Sequence, residues 1–237
     1  MKNKIWVVVP AAGVGKRMKS VLPKQYLMLG HQTVLDRTLG QLISHEQIAG
    51  VALGLGAEDD FWADSIWYEH PKIERYVGGK ERSDTVRLGL EFLMYVKQIE
   101  DGFVLVHDAA RPLVSHSSID SLLLNDHSSG GLLAIISKDT IKQSCVINEK
   151  AVVDKTIDRS FIWQAQTPQK FVMSELIAAL DYAESQGVII TDESSAMELA
   201  GYQPALIEGD ARNFKITLPI DLVIANALLA HNSLEES

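Results

Sequence analysis

Two glycines and two cations stand close together near the start of the chain: Gly13 and Gly15, then Arg17 and Lys24. Glycines let backbone N–H groups approach phosphate oxygens with no Cβ in the way, while a guanidinium clamps two such oxygens and an ammonium follows one. The run Ile5-Trp-Val-Val-Val-Pro-Ala-Ala-Gly-Val-Gly-Lys-Arg-Met18, followed by Leu22-Pro-Lys-Gln-Tyr26, therefore reads as a triphosphate cradle. Neither common phosphate loop accounts for it. Met18 stands where a dinucleotide-binding fingerprint needs its third glycine, and no Gly-Lys-Ser/Thr follows to make a P-loop.

A second constellation lies in Phe103-Val-Leu-Val-His-Asp-Ala-Ala-Arg-Pro112, where an apolar run delivers Asp108 and Arg111 to the same sheet edge as the first loop. Asp108 is the metal-side candidate. Mg²⁺ keeps several waters and takes one or two carboxylates beside substrate phosphates, so Asp108 could hold it directly or through water. The blander use of the same carboxylate is to cap the next turn.

The elements that must position these residues alternate. Strands are expected near 5–9, 50–55, 73–77, 103–107 and 131–137, with helices near 34–44, 59–68, 83–98 and 117–126, a pattern that predicts a doubly wound, mostly parallel α/β sheet. Val86, Leu90, Leu93 and Met94 form one buried helical stripe. Thr140 to Ile147 and Ala151 to Ile157 are strand-like, with too little apolar sequence nearby to cover them, which predicts a protruding β-arm over about 138–162 that a symmetric dimer would cover. Helices follow near 173–186 and 192–200, then a strand near 204–208. A last helix is expected to pack Ile220, Val223, Ile224, Ala227 and Leu228 against the sheet. No repeat or linker divides the chain, so residues 1–237 read as one domain plus its arm.

Composition agrees with a folded enzyme: 237 residues, 46% apolar and 22% charged. A net charge of −9 argues against general affinity for nucleic acid or anionic membrane, so the cations near the first loop act locally. The single cysteine, Cys145, excludes an intrachain disulfide, and no His or Asn motif accompanies it as a nucleophile. With no cleavage pattern near the N-terminus and no apolar stretch long enough to span a bilayer, a cytoplasmic protein is expected.

Together these motifs resemble the sugar nucleotidyltransferase superfamily, specifically the 2-C-methyl-D-erythritol 4-phosphate cytidylyltransferase family of the non-mevalonate isoprenoid pathway. The resemblance continues through Gly78-Gly-Lys-Glu-Arg-Ser-Asp-Thr-Val86, Asp139-Thr-Ile-Lys142, Val153-Asp-Lys-Thr-Ile-Asp-Arg159, Gln166-Thr-Pro-Gln169, Thr191-Asp-Glu193 and Asn213-Phe-Lys-Ile-Thr217, nearly the whole chain. It implies a Rossmann-like fold with an arm-exchanged homodimer, Mg²⁺, and the substrates CTP and a polyol phosphate. The phosphate of methylerythritol phosphate attacks the α-phosphorus in line and pyrophosphate leaves, without a covalent enzyme intermediate. Carried over by motif, Arg17, Lys24, Arg159 and Lys215 are catalytic. Pro10, Ala11, Ala12, Gly13, Gly15, Lys24, Gly79, Thr85, Asp108 and Ala109 hold the nucleotide, and Asp108, Arg111, Thr140, Arg159, Thr167, Thr191 and Lys215 hold the sugar phosphate. If the arms exchange, Arg159 and Thr140 complete the opposite subunit's site.

Some of these positions have ordinary readings too. Thr191 before Asp192 and Glu193 is also a plain helix start, Thr167 before Pro168 a turn, and Lys215 an outward strand lysine. Two positions depart from the family pattern: Lys80 stands where better-known members carry Asp, and Thr85 where they often carry Ser. The nearest rival is ribitol-5-phosphate cytidylyltransferase, disfavoured by Ala11-Ala12-Gly13, His107-Asp-Ala-Ala-Arg111 and Thr191-Asp-Glu193. A nicotinamide oxidoreductase and a non-catalytic nucleotide-binding regulator remain as readings from other classes.

Overall fold

The computed structural model describes residues 4–13 and 22–235, without the side chains of 232–235. Gly15, Lys16 and Arg17 of the first loop lie outside the described residues. In chain order the elements are β1 (Ile5–Pro10), β2 (Met28–Leu29), β3 (Gln32–Thr33), α1 (Val34–Ile43), β4 (Ile48–Leu55), β5 (Ile73–Val77), α2 (Arg82–Glu91) and β6 (Phe103–Val106). Then come α3 (His116–Leu124), β7 (Gly131–Ile136), β8 (Ile141–Ile147), β9 (Lys150–Ile157), β10 (Trp163–Val172), α4 (Met173–Ser185), α5 (Glu193–Leu199), β11 (Ala205–Glu208) and α6 (Pro219–Glu235).

A sheet runs β11-β7-β10-β6-β1-β4-β5, parallel throughout except for β10, which lies antiparallel between β7 and β6. Both faces are covered, which explains why β1 is apolar at every inner position. Val7 and Val9 pack toward Leu35, Leu39 and Ile119, whereas Val8 packs toward Val86, Leu90 and Phe171 on the other face. Local chemistry starts the helices. The Thr33 hydroxyl accepts from Asp36 N–H at 3.0 Å, and the Asp36 carboxylate accepts from Thr33 N–H, closing a capping box at α1. Asp192 caps α5 through Ser195 N–H at 3.1 Å.

Three sequence expectations need correction. The stretch 59–68 is no helix: the Asp59 carboxylate accepts from both Phe61 and Trp62 N–H, closing a short 3₁₀ turn at Trp62–Asp64, and the chain is extended again by Ser65. Strand β10 has no counterpart among the expected elements, because Gln164, Gln166, Pro168, Gln169 and Lys170 read as loop. It is nonetheless a central strand whose buried polar side chains are all partnered, Lys170 to the Leu123 and Asn125 carbonyls and Gln169 to the Asp192 carboxylate and Ser194 N–H. In α6 the buried face is Leu222, Ala225 and Leu229, packed with Leu29, Val34, Ala110 and Ile216. Ile220, Val223 and Ile224 are exposed instead, since Asn226 accepts from Gly30 N–H and docks the helix on the β2–β3 turn.

The ribbon β8–β9 pairs only with itself through a two-residue turn, Asn148 and Glu149, both with positive φ. Its apolar side chains face solvent: Val146 is 75% exposed, and Phe161 at its base 84%.

Candidate active site

The strand order reverses at β1, whose neighbours are β4 on one side and β6 on the other. The carboxyl ends there form the crevice where open α/β sheets bind ligands. A cleft of about 270 Å³ occupies it, walled by Pro10–Gly13 after β1, Gly79–Arg82 after β5, Asp108–Ala110 after β6, and Lys24, Thr85 and Lys215.

Asp108 is the electrostatic centre of that wall. Its Oδ1 accepts from Arg82 Nε at 2.8 Å, and its Oδ2 meets Lys215 Nζ at 2.9 Å and Arg111 Nε at 3.3 Å. Burial alone would push the carboxyl up, but Arg82 foremost, then Lys215 and Arg111, hold it well below the usual carboxylate range, so it is ionised. Arg82 is anchored again by Glu193, Nη1 to Oε1 at 2.6 Å and Nη2 to Oε2 at 3.0 Å. Arg111 is anchored by the carbonyls of Asn213 at 2.7 Å and Ala165 at 3.3 Å. Lys215 has no such second anchor for its ammonium among the described residues.

Beneath Asp108, the neighbouring His107 is fully buried and burial pushes its pKa down to about 4, so the ring is neutral. One proton assignment satisfies the chain of contacts. Asp108 N–H donates to Thr167 Oγ1 at 2.9 Å, the Thr167 hydroxyl donates to His107 Nδ1 at 3.0 Å, and Nε2–H donates to the Arg111 carbonyl at 3.1 Å. Thr167 sits in a register break of β10 beside a cis peptide to Pro168.

The loops are held from behind. Gln25, 3% exposed, donates through Nε2 to the Ala11 carbonyl at 2.8 Å and the Gly13 carbonyl at 3.2 Å. Thr85 accepts from Gly79 N–H at 3.1 Å and donates to the Glu81 carbonyl at 3.0 Å. Gly78 is required by contact: a Cβ there would lie 2.6 Å from Ala12 Cβ and 2.9 Å from Thr85 Cγ2. A Cβ at Gly13, by contrast, would meet no atom of the described residues within 4 Å.

Of the residues expected to hold nucleotide, Pro10, Ala11, Ala12, Gly13, Lys24, Gly79, Thr85, Asp108 and Ala109 converge on this cleft, together with Lys215, while Gly15 and Arg17 lie outside the described residues. Arg111 and Thr167 bond to Asp108. Thr191 is exposed just before α5. Arg159 and Thr140 do not line this cleft; both are exposed at the base of the ribbon, where Arg159 Nη1 donates to the Lys138 carbonyl. Sequence reasoning missed Arg82, Glu193, Gln25 and His107. The one available signal was that all four sit inside the motifs that carry the resemblance.

Among the described residues the cleft lining offers no thiol, and its one hydroxyl, Thr85, is spent on the loop backbone. A pocket whose described lining gathers cations and carboxylates without a free nucleophile is suited to holding one anion against another, which is the work of a nucleotidyltransferase. Residues 5–231 match the family model described as IspD, 2-C-methyl-D-erythritol 4-phosphate cytidylyltransferase. The enzyme of that name from Vibrio vulnificus (strain CMCP6) is 45% identical over 225 residues, 94% of this chain and 93% of that one. A crystal structure of 4-diphosphocytidyl-2C-methyl-D-erythritol synthase superposes with a TM-score of 0.81 at 37% identity, covering 97% of this chain and 99% of that one. The Francisella tularensis 2-C-methyl-D-erythritol 4-phosphate cytidylyltransferase superposes at 0.79, with 36% identity and coverage of 95% and 99%. The chain belongs to the 2-C-methyl-D-erythritol 4-phosphate cytidylyltransferase family.

Proposed function

We propose that the cleft between β1 and β6 is where this cytidylyltransferase works, and that its cations perform the transfer. The reaction moves CMP from CTP to 2-C-methyl-D-erythritol 4-phosphate, giving 4-diphosphocytidyl-2-C-methyl-D-erythritol and pyrophosphate, a step of the non-mevalonate route to isoprenoids. The observation that carries the site is Asp108, a buried carboxylate ringed by Arg82, Arg111 and Lys215 beside a glycine loop.

The substrate phosphate is itself the nucleophile, so the protein contributes position and charge. Loops Ala11–Gly13 and Gly79–Thr85 receive the nucleotide with backbone groups, and Lys24 and Arg17 take the triphosphate oxygens. Lys215 turns from Asp108 to the α-phosphoryl group, because its compact ammonium has the weaker tether while Arg82 and Arg111 stay anchored elsewhere. Arg111, Thr191 and the Thr167 region face the sugar phosphate. Asp108 is ionised and would fit Mg²⁺ through Oδ2, the oxygen that Lys215 leaves on turning to the phosphate, while Oδ1 stays with Arg82. Among the described residues no group of three His, Cys, Asp or Glu gathers, so a metal there would take its other ligands from phosphate and water. Bound Mg²⁺ would supply charge neutralisation at the α-phosphoryl and leaving oxygens.

The reading extends to the assembly. The ribbon's exposed apolar residues are an association surface, and a second copy would cover them and bring Arg159 and Thr140 to the partner's cleft. Residues 1–237 then form one domain whose arm, about 138–162, completes a homodimer. A cytoplasmic setting suits the single exposed Cys145, and no described helix is long and apolar enough to cross a membrane.

The test is pyrophosphate release from Mg²⁺, CTP and either methylerythritol phosphate or ribitol phosphate, with Arg17→Ala and Lys215→Ala as controls. Release with methylerythritol phosphate, largely lost in both controls, supports the site. Release with ribitol phosphate alone overturns the substrate. Mixing inactive Lys24→Ala and Arg159→Ala proteins should restore about a quarter of wild-type activity if sites are shared between subunits, and no restoration refutes sharing.

A further inference from the structure

The transfer chemistry makes no use of Glu193, yet it is one of the most completely buried charged groups in the structure, 1% exposed. A carboxylate that deep is costly unless paired, and an apolar residue of similar size would often serve stability as well. Both of its oxygens are taken by Arg82, whose remaining edge meets Asp108 Oδ1 at 2.8 Å. A planar fork can hold two carboxylates at once in a fixed geometry, which an ammonium cannot do.

The three residues come from three places that must act together. Arg82 opens α2 directly after the Gly79–Glu81 wall of the cleft. Asp108 follows β6, and Glu193 opens α5 directly after Thr191 and Asp192. Oδ1 of Asp108 is thereby occupied by an anchored guanidinium, leaving Oδ2, shared with Lys215 and Arg111, as its exchangeable oxygen.

We propose that Glu193 and Arg82 form a positioning relay that fixes the Asp108 carboxylate and couples the nucleotide loop to the α5 side of the cleft. The relay rests on the transferase reading of that cleft. Neither residue touches the reacting atoms; each acts through Asp108.

The test compares wild type, Arg82→Lys, Glu193→Gln and the double variant in initial rates, with CTP and methylerythritol phosphate varied in turn and thermal unfolding recorded alongside. Arg82→Lys and Glu193→Gln should each lower kcat about tenfold or more while KM for CTP stays within about threefold. The double variant should lose no more than the worse single one, because the relay is broken once. A lowered Tm with unchanged kcat per folded molecule overturns the proposal, as do losses that multiply in the double variant. If Glu193→Gln fails to fold, Glu193→Asp keeps the charge one methylene short: a lower kcat at preserved KM supports the relay, and an unchanged kcat refutes it. Wild-type turnover in the same assay separates failure of the relay from failure of the assigned reaction.

Discussion

Gln25 offers the sharpest check on how the first loop is held. Its amide donates to the carbonyls of Ala11 and Gly13 at 2.8 and 3.2 Å from a position 3% exposed, and Ala11 is itself buried. In a trans peptide the carbonyl of one residue and the N–H of the next point opposite ways, so holding the Ala11 carbonyl turns Ala12 N–H away from Gln25. Ala12 lines the cleft, and its N–H has no acceptor among the described residues, leaving it for a ligand. Gln25→Met keeps roughly the volume but removes both bonds and orphans a buried carbonyl, a loss of about 2 kcal/mol. For a chain of this length that corresponds to a fall in Tm of about 4–8 °C. If Ala12 N–H also loses its aim, CTP binding weakens by about 1 kcal/mol, raising KM for CTP about fivefold.

Gln25→Glu separates bonding from shape. It has nearly the same outline but sets a carboxylate against two carbonyl oxygens, so it should be at least as damaging as Gln25→Met. The assay is thermal unfolding with and without CTP, followed by initial rates over a CTP series. Variants that both melt within about 1 °C of wild type and keep KM for CTP within about twofold would refute the clamp.

Gly78→Ala should drive apart the two loops proposed to hold the nucleotide, since its Cβ would lie 2.6 Å from Ala12 Cβ. Overpacking of about 1–3 kcal/mol is expected, with KM for CTP raised about tenfold, and a normal CTP titration would contradict the close approach. Lys215→Met should keep the fold, because Asp108 retains Arg82 and Arg111, but lower single-turnover rates by about 10²–10³; a rate near wild type would remove Lys215 from the chemistry. His45 is buried between α1 and α3, facing Asp120, His116 and Glu46, and burial holds its pKa below 6.5 despite Asp120. The unfolded chain therefore binds the proton first as pH falls, so this contribution to stability is full above about pH 6.5 and is lost as pH drops toward the folded value. His45→Gln should flatten the slope of Tm as pH falls below about 6.5, and an unaltered slope would exclude His45 as its source.

Much of this architecture was legible because burial on both faces writes itself into composition. Ile5–Pro10 and Phe103–Val106 are apolar without alternation, and the loops after them carry Gly13 and Asp108 to one crevice. Legibility failed where burial is polar. Nothing in Gln166-Thr-Pro-Gln-Lys170 reports that each of its four polar side chains finds a partner inside a central strand. It failed again where a role depends on distant pairing: Arg82 meets Glu193 across 111 positions of sequence, and no local spacing encodes that. The amphipathic pattern of α6 misled for a related reason, because its apolar residues lie on two faces and only docking decides which is covered.

The charge arrangement gives a physical reason for a buried carboxylate among converging cations. Three cations, Arg82, Arg111 and Lys215, would repel one another if left to converge on an empty cleft, and Asp108 holds them together there. Glu193 neutralises the outer side of Arg82, so the cluster of three cations and two carboxylates carries a net charge of +1 within a chain of −9. On the proposed reading of the cleft, a triphosphate would meet Lys215 and Arg111 already aimed, with Arg82 fixing the carboxylate between them, which would spare reorganisation when charge develops on the α-phosphoryl group. Of the three, the two guanidiniums are held by protein groups elsewhere, so on the proposed reading it is the ammonium, the more compact and mobile cation, that follows the phosphate through the transfer.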